Sequence, residues 1–452
     1  MRVREITRRG FLSGGAGAGA ALVCGRAFAD EAADGLAELG RAVGWDPNAP
    51  ESFYFLQATD LHASEITSGA LKMPDKFGGR NFADDMSALR PKPAFVALTG
   101  DLIAATTRNP ATWPQAEAGF RRVRDLIVSR LAVPCHMIIG NNDCSPEAYH
   151  TVWPERPVYW SFDRQGVHFV GLHGYNAWKP ENSNHAGIVL DGAQLAWLKR
   201  DLAAAAMART LVIFTHEPLK DPDCHLIRKQ LAPLLDTVAG KIWNIAGHNH
   251  GNADNRVRIG GKEVRVLETT TPVGVWTPDK GAYRLVFVSG GGVVGSGLRW
   301  LTKDGEPLRF EADPADRKVP LVTTVEEALG KEAVRLFLVG GDEVPLRVAA
   351  ENVTDRVSNI QFKKGAALTY KIPLEGWGGQ ARRLMLAIRQ ANVAVALSDD
   401  GRAWRQAPAL EAASGFAVYG LPEQVLSGGD LSVRITAPEG QGGLFYGLAF
   451  LR

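Results

Sequence analysis

One pattern recurs five times between residues 53 and 250: a short apolar run ends in a polar tip. Apolar runs of four to six residues between turn residues are typical of buried strands. Amphipathic stretches over Trp113–Leu131 and Asp191–Ala206 predict helices between them. Strands that alternate with helices predict an α/β domain, whose polar tips meet at the carboxyl ends of the strands. The runs are Phe53–Ala58, Ala94–Thr99, Cys135–Ile139, Thr210–Phe214 and Ile242–Ile245.

The five tips together carry two carboxylates, one amide oxygen and four imidazoles. Imidazoles mixed with carboxylates suit metals such as Zn, Fe and Mn. Because seven groups are more than one tetrahedral ion needs, we expect two divalent or trivalent ions of undetermined identity that share one carboxylate. Two such ions clamp a phosphoryl group and lower the pKa of the water between them. The seven groups belong to Asp60, His62, Asp101, Asn141, His216, His248 and His250.

The order and spacing of these tips resemble the calcineurin-like metallophosphoesterases. The residues that carry the resemblance are Asp60-Leu61-His62, Gly100-Asp101, Gly140-Asn141-Asn142-Asp143, His216 and Gly247-His248-Asn249-His250. The resemblance spans about residues 53–290 and implies a four-layer α/β/β/α sandwich with a dinuclear centre at the sheet edge. It implies that Asp60, His62 and His250 bind one metal, that Asn141, His216 and His248 bind the other, and that Asp101 bridges them.

The implied function is the hydrolysis of a small phosphoester by a hydroxide that the two metals activate. Phosphodiesters are slightly favoured over monoesters as substrates. The alternatives are a phosphomonoesterase, and a non-catalytic protein that binds phosphate or sugar through its metals.

One position departs from the family pattern. Asn142 stands where most members have a histidine, which is thought to stabilise the transition state or to protonate the leaving oxygen. An amide cannot donate a proton in that way, although it can hydrogen-bond a phosphoryl oxygen. Either another acid substitutes, with Glu217 as the first candidate, or the leaving group of the substrate needs little help. Asp143 is expected either to orient its neighbours or to cap a helix.

A glycine-rich segment could be mistaken for a nucleotide site. Residues 290–295 read Gly-Gly-Gly-Val-Val-Gly, which has the spacing of a dinucleotide-binding fingerprint. No helix pattern follows the segment and no acidic partner is evident, so we predict a hairpin turn instead.

Beyond residue 320 the helical stretches stop, and seven short strand-like runs predict a jelly-roll-like β-sandwich. Leu368-Thr369-Tyr370 and the segment Ser398–Trp404 loosely resemble a galactose-binding domain. The resemblance implies a carbohydrate contact with Trp377 and Trp404 as stacking residues, whereas a purely structural sandwich is the alternative. The predicted strands are Val334–Val339, Leu346–Ala349, Ala367–Ile372, Leu384–Ile388, Val393–Leu397, Phe416–Val418 and Leu431–Ile435.

The amino-terminal 29 residues have the features of an export signal. A basic head is followed by a weakly apolar Gly/Ala run and by Ala27-Phe28-Ala29, and residues 7–12, Thr-Arg-Arg-Gly-Phe-Leu, resemble a twin-arginine signal. We therefore expect a periplasmic or secreted protein. The predicted organisation is a signal over residues 1–29, a lead over 30–52, a catalytic domain over 53–302, a linker over 303–319 and the β-sandwich over 320–452.

Charge and hydropathy limit the remaining function classes. The 452-residue chain has a formal charge of +2. The signal holds five basic residues and one acidic residue, so the rest has 46 basic and 48 acidic residues and a formal charge of −2. Such a balance argues against a protein that coats nucleic-acid duplexes. No run of 18 clearly apolar residues occurs, which argues against a transmembrane segment in the mature chain.

Overall fold

The computed structural model describes most of the chain after residue 32. The predicted export signal lies outside the described residues. Within the described part, no helix is long and apolar enough to cross a membrane. The described residues are 33–63, 82–104, 113–143, 146–175, 188–272, 281–301, 309–313, 319–339, 345–355, 359–389, 392–413, 415–426, 429–437 and 443–452.

The described elements form three sheets and seven α-helices. The helices are α1 (33–42), α2 (Phe82–Ala88), α3 (Trp113–Leu126), α4 (Pro146–His150), α5 (Gly192–Ala204), α6 (His225–Leu235) and α7 (Val325–Gly330), with 3₁₀ turns at Val128–Arg130, Pro222–Cys224, Gly378–Gln380 and Glu423–Val425. The strands are β1 (Phe53–Ala58), β2 (Val96–Thr99), β3 (Cys135–Ile138), β4 (Trp160–Arg164), β5 (Val167–Gly171), β6 (Thr210–Phe214), β7 (Lys241–Ala246), β8 (Ala253–Ile259), β9 (Lys262–Glu268), β10 (Ala282–Ser289), β11 (Gly292–Trp300), β12 (Arg309–Ala312), β13 (Leu321–Val322), β14 (Ala333–Leu338), β15 (Leu346–Asp355), β16 (Ile360–Pro373), β17 (Arg383–Arg389), β18 (Ala394–Ser398), β19 (Arg405–Gln406), β20 (Ala409–Ala413), β21 (Phe416–Gly420), β22 (Asp430–Ala437) and β23 (Leu444–Leu451).

Two mixed sheets form the first domain. The first sheet has the order β12-β11-β10-β1-β2-β3, and its β1, β2 and β3 are parallel. The second sheet has the order β13-β8-β9-β7-β6-β5-β4, and its β5, β6, β7 and β9 are parallel. Parallel neighbours bring their carboxyl ends to one edge, so the polar tips that follow β1, β2, β3, β6 and β7 gather at the same side of the domain.

The packing of the two sheets confirms the predicted four-layer α/β/β/α sandwich. Aromatic rings fill the space between the sheets, where Phe55 and Phe95 are stacked with centroids 4.8 Å apart. The helices α1 to α4 cover the outer face of the first sheet, and α5 and α6 cover the outer face of the second sheet. Each large apolar side chain that is fully buried in these layers stabilises the fold by about 1.5–3 kcal/mol.

The second domain is an all-β sandwich of ten antiparallel strands, β14 to β23, around its own apolar core. Each of the seven predicted runs overlaps an observed strand. The prediction missed β19, β20 and β23. The last of these pairs with β14, β16 and β17 in the middle of the sheet. Nearly all of β23 is buried, so it lacks the alternation of polar and apolar residues that marks a half-exposed strand.

The change from one domain to the next falls later than the sequence indicates. Strand β12 lies inside the predicted linker 303–319 and pairs with β11 of the first sheet. Strand β13 lies inside the predicted β-sandwich and pairs with β8 of the second sheet. Helix α7 is the first element that packs into the core of the β-sandwich, through Val325 and Leu329.

The glycine-rich segment is the predicted hairpin. Ser289 pairs with Gly292 across the turn between β10 and β11. Gly290 and Gly291 both have positive φ, at 58° and 73°, as a two-residue hairpin turn of this kind requires.

Candidate metal centre

An unusual backbone conformation marks the strand ends that carry the predicted metal ligands. The φ angles of Asp60, His62, Asp101, His248 and His250 are 55°, 48°, 49°, 70° and 53°. This left-handed region costs a non-glycine residue roughly 1–3 kcal/mol, and it persists only where the surrounding structure enforces it. Five such residues at neighbouring strand ends indicate that backbone strain accompanies the convergence of their side chains at this edge of the sheets.

Hydrogen bonds between parallel strand ends enforce this conformation. The amide of Asp60 donates to the carbonyl of Gly100 at 3.0 Å, and the amide of His62 donates to the carbonyl of Asp101 at 2.9 Å. The tips after β1 and β2 therefore run side by side, as the parallel pairing of the strands dictates.

Asp60 has one satisfied and one unsatisfied carboxylate oxygen. Its Oδ2 accepts hydrogen bonds from Thr59 Oγ1 at 2.7 Å and from the His248 amide at 2.9 Å. Its Oδ1 is buried without a hydrogen-bond partner and lies 3.1 Å from His250 Nε2 and 3.8 Å from His216 Nε2. Burial alone would raise the pKa of Asp60, but the neighbouring imidazoles hold it well below its usual range. A buried anionic oxygen of this kind requires a cation.

Asp101 presents its two carboxylate oxygens to different histidines. Oδ1 lies 3.3 Å from His216 Nε2, and Oδ2 lies 3.8 Å from His62 Nε2. Burial opposes ionisation of Asp101, but the charges of His216 and His62 outweigh it and lower its pKa to about 2. The two oxygens of Asp101 therefore lie near two different imidazoles.

His216 is oriented so that one ring nitrogen remains available as a ligand. Its Nδ1 lies 2.9 Å from the carbonyl of Thr99, which can only accept, so Nδ1 carries the proton of the neutral ring. Its Nε2 is buried and has no hydrogen-bond partner. Burial lowers the pKa of His216, but Asp101 and Asp60 outweigh burial and raise it to about 10, so this nitrogen lies where positive charge is favoured.

The remaining ligand candidates complete two adjacent groups. His248 Nδ1 lies 3.1 Å from Asn141 Oδ1, and burial together with the charge of His216 lowers the pKa of His248 to about 4, which keeps the imidazole neutral. His62 Nε2 and His250 Nε2 are 3.0 Å apart. Potential ligand atoms within 4.8 Å of one another form two groups that share Asp60: Asp60 with His62 and His250, and Asp60 with Asp101 and His216. The structure thus brings all seven predicted residues together, and the donor set fits divalent metals.

The close approach of the strand ends explains two glycines. Gly100 has a φ of 90°, and a Cβ at that position would lie 2.6 Å from His216 Nδ1. A Cβ on Gly140 would collide with Oδ1 and the amide nitrogen of Asp101 and would lie 2.9 Å from His216 Cδ2. Side chains larger than hydrogen at these two positions would therefore displace His216 and Asp101, two of the candidate ligands.

Asn142 contacts the carboxylate of Asp101. The backbone amide of Asn142 donates to Asp101 Oδ1 at 2.8 Å, and its side-chain Nδ2 donates to Oδ2 at 2.6 Å. Asp143 is almost completely buried and connects the tips that follow β2 and β3. Its oxygens accept hydrogen bonds from the amides of Gly140 at 2.6 Å and Ile103 at 2.9 Å. Asp143 precedes α4 and caps no helix through these bonds.

Glu217, which follows His216 in sequence, is a buried residue. Only 1% of the residue is exposed, and its Oε2 lies 3.9 Å from Cys224 Sγ. Burial and the charge of Asp223 raise the pKa of Glu217 well above its usual range. Its role as a substitute acid stays a prediction.

Several supporting residues were missed by the sequence reasoning. Thr271 Oγ1 donates to the carbonyl of Asp60 at 2.7 Å, and Thr270 Oγ1 donates to the carbonyl of His250 at 2.7 Å. Asn249, between two ligands, donates to Asp221 and Glu268. The threonines follow the carboxyl end of β9, which is parallel to β7, so the rule that located the other polar tips would also have located this one.

Comparison with known proteins agrees with this geometry. Residues 53–252 match the family model described as calcineurin-like phosphoesterase. The chain contains a calcineurin-like metallophosphoesterase domain. This domain makes the protein a hydrolase that acts on phosphoester bonds.

Relatives and solved structures cover part of the chain. The mouse serine/threonine-protein phosphatase CPPED1 is 27% identical over 231 residues, which is 44% of this chain and 70% of that protein. The human protein of the same name is 28% identical over 249 residues, or 47% of this chain and 76% of that protein. A 5'-nucleotidase from Candida albicans is 13% identical with a TM-score of 0.35, covering 57% of this chain and 51% of that one.

Proposed function

We propose that this domain hydrolyses phosphoesters at a two-metal centre, with phosphodiesters as preferred substrates. In this proposal Asp60, His62 and His250 hold one ion, and Asn141, His216 and His248 hold the other. Asp101 lies between the ions. The observation that carries the proposal is the orientation of Asp101, whose two oxygens face His216 and His62 respectively.

The protein supplies orientation before any metal binds. When bound, two such ions act as Lewis acids on a phosphoryl oxygen and lower the pKa of nearby water. Thr99 holds the ring of His216, while Thr59 and the His248 amide hold one oxygen of Asp60. Both side chains therefore direct an unused atom toward the same space, and little reorganisation is needed on binding.

The surroundings of Asn142 favour a substrate whose leaving group needs no proton. The Nδ2 group of Asn142 donates to Asp101, and an amide has no proton to transfer at neutral pH. Glu217 is the first candidate for a substitute acid, but its burial separates it from bulk solvent. We therefore expect rates to depend strongly on the acidity of the leaving alcohol or phenol.

The charge near the centre favours diesters over monoesters. Lys220, four residues after His216, is bound to Asp221 at 3.0 Å and to Glu268 at 3.1 Å. It is thus neutralised by carboxylates and does not add attraction for the second negative charge of a monoester. The second candidate is a phosphomonoesterase, which is favoured by the relatives that are named phosphatases.

The test is release of p-nitrophenol from bis(p-nitrophenyl) phosphate and from p-nitrophenyl phosphate. The residue 30–452 protein is assayed with added Mn, Fe or Zn, beside an Asp101→Ala variant. We expect metal-dependent turnover, faster for the diester, that the variant loses. A faster monoester reaction would favour the second candidate. Absence of both reactions with every metal, together with parent-like behaviour of Asp101→Ala, would leave only the metal-dependent binding protein.

We also propose that residues 1–29 direct export by the twin-arginine route. The supporting observation is the sequence around Arg8 and Arg9. Replacing both arginines with lysine in the full chain is expected to retain the precursor in the cytoplasm; unchanged export would contradict the proposal. Carbohydrate binding by the β-sandwich stays a prediction: Trp377 packs against Phe450, and the guanidinium of Arg434 covers one face of Trp404.

A further inference from the structure

Hydrogen bonds join the β-sandwich domain to the segment that follows the metal-ligand candidate His216. Arg228 of α6 is buried, with 2% of the residue exposed. Its Nε and Nη2 donate to the two carboxylate oxygens of Glu326 in α7, at 2.5 and 2.6 Å. Its Nη1 donates to the carbonyls of Leu219 and Asp221, at 2.7 Å each. One guanidinium thus binds a helix of the second domain and the loop of the first domain at the same time.

The same loop contacts the turn that carries His248 and His250. Asp221 Oδ2 accepts a hydrogen bond from Asn249 Nδ2 at 2.8 Å. Asn249 lies between the two histidines in sequence, and its Nδ2 also donates to Glu268 at 2.8 Å. Glu326, Arg228, Asp221 and Asn249 therefore form a continuous chain of contacts from the second domain to two ligands.

Two further contacts place the second domain against the same segment. His225 Nε2 lies 2.8 Å from the carbonyl of Val339, and Asn359 Nδ2 donates to Asp223. Both Asp223 and His225 follow the loop directly, at the start of α6. Residues 219–228, which lead away from His216, thus carry several of the hydrogen bonds between the two domains.

The hydrogen bonds between the two domains are better suited to fixing the conformation of this loop than to holding the domains together alone. Apolar packing would hold two domains together without fixing any one loop conformation. A buried guanidinium is costly unless all of its N–H groups are paired. Once Nε and Nη2 pair with the carboxylate of Glu326, the planar guanidinium has a fixed orientation, and Nη1 can donate in one direction only. The carbonyls of Leu219 and Asp221 lie in that direction and accept the hydrogen bonds of Nη1. The pairing of Arg228 with Glu326 therefore fixes the loop that contains Asp221. The loop in turn fixes the side chain of Asp221, which binds Asn249.

We propose that the β-sandwich domain positions the metal centre through Glu326, Arg228 and Asn249, which are positioning residues and do not touch the ions or the substrate. The inference rests on the proposed two-metal site. It assigns to the second domain a role in metal affinity and turnover that is independent of any ligand of its own.

The experiment compares the full-length mature protein with Glu326→Gln and Asn249→Ala. Glutamine keeps the shape of Glu326 but replaces one acceptor oxygen by a donor that faces Arg228. Asn249→Ala removes the last contact of the chain and leaves the domain joint intact. Glu332→Gln is the matched control, because Glu332 lies in the same domain and forms an exposed pair with Arg383. Mn²⁺ or Zn²⁺ binding is measured by titration of the chelator-treated proteins, together with kcat, KM and thermal unfolding.

We expect both variants to raise the Kd of the more weakly bound ion about three- to tenfold, because loss of residues that orient ligands weakens metal binding. We expect kcat to fall with little change in KM, while Glu332→Gln matches the parent. Parent-like metal affinity in both variants would overturn the proposal, and so would a Glu326→Gln protein that only melts earlier. If Glu326→Gln does not fold, Asn249→Ala decides. A parent that binds no pair of ions would contradict the proposed function instead.

Discussion

Replacing Gly140 with alanine is the most direct perturbation of the shared carboxylate. The added Cβ would overlap Asp101 Oδ1 and the Asp101 amide nitrogen and would lie 2.9 Å from His216 Cδ2. None of these atoms is the flexible end of a long side chain, so the carboxylate itself must shift. Overpacking of this kind costs about 1–3 kcal/mol of the free energy of unfolding. A displacement of about 1 Å at a reacting centre lowers the rate roughly a hundredfold.

The assay measures metal stoichiometry, kcat/KM and the free energy of unfolding on one preparation. We expect Gly140→Ala to fold, to bind fewer than two ions per chain, and to lose about a hundredfold in kcat/KM. Gly192→Ala is the control, because its Cβ would have no neighbour within 4 Å and it lies at the start of α5. A Gly140→Ala protein with two bound ions and a rate within twofold of the parent would refute the bridging geometry assigned to Asp101.

Three further predictions concern the leaving group, pH and metal removal. Asn142→His is expected to speed alkyl ester hydrolysis at least about tenfold more than p-nitrophenyl ester hydrolysis, because an imidazolium donates a proton and an amide does not; equal acceleration would contradict this. Burial lowers the pKa of His168, but hydrogen bonds to Asp201 and Asp163 outweigh burial and raise it. Protonated His168 therefore stabilises the folded state below the unfolded pKa of about 6.5, and this contribution is lost as pH rises through the folded pKa. Denaturation from about pH 6 to 9 should show that loss in the parent and not in His168→Gln. Chelation should lower the free energy of unfolding by about 2.7 kcal/mol for each site that was held at a hundredfold excess over its Kd, and readdition of metal should restore it; an unchanged melting curve would count against a bound metal.

The clustering of the candidate ligands could be predicted because its signal is local. Each ligand follows a short apolar run by only a few residues, and parallel pairing of those runs brings their carboxyl ends together. No knowledge of the helices or of the exact register is needed for that inference. The hairpin at Gly290 was also predictable from local sequence, because no helix pattern follows the glycines. The structure shows that Gly290 and Gly291 adopt the positive φ angles that a two-residue turn requires.

The domain boundary and the domain joint could not be predicted, because their signals are not local. Strand β13 has two residues, and it is a strand only because Leu321 and Val322 meet β8. Arg228 and Glu326 are 98 residues apart, and nothing near either residue distinguishes them from an exposed pair. Their importance follows from burial, which depends on the way the two domains dock.

Strain at the ligands links folding to metal loading, and this link bears on export. Five of the candidate ligands occupy left-handed backbone conformations. This backbone strain destabilises the metal-free fold, so ions that bind here would select and stabilise the folded chain. The twin-arginine route that we propose for this chain carries folded proteins, so on that route the chain would acquire its ions before it crosses the membrane. We therefore expect the precursor purified from the cytoplasm to contain bound metal. A folded, metal-free cytoplasmic precursor beside a metal-loaded exported enzyme would show that loading follows export.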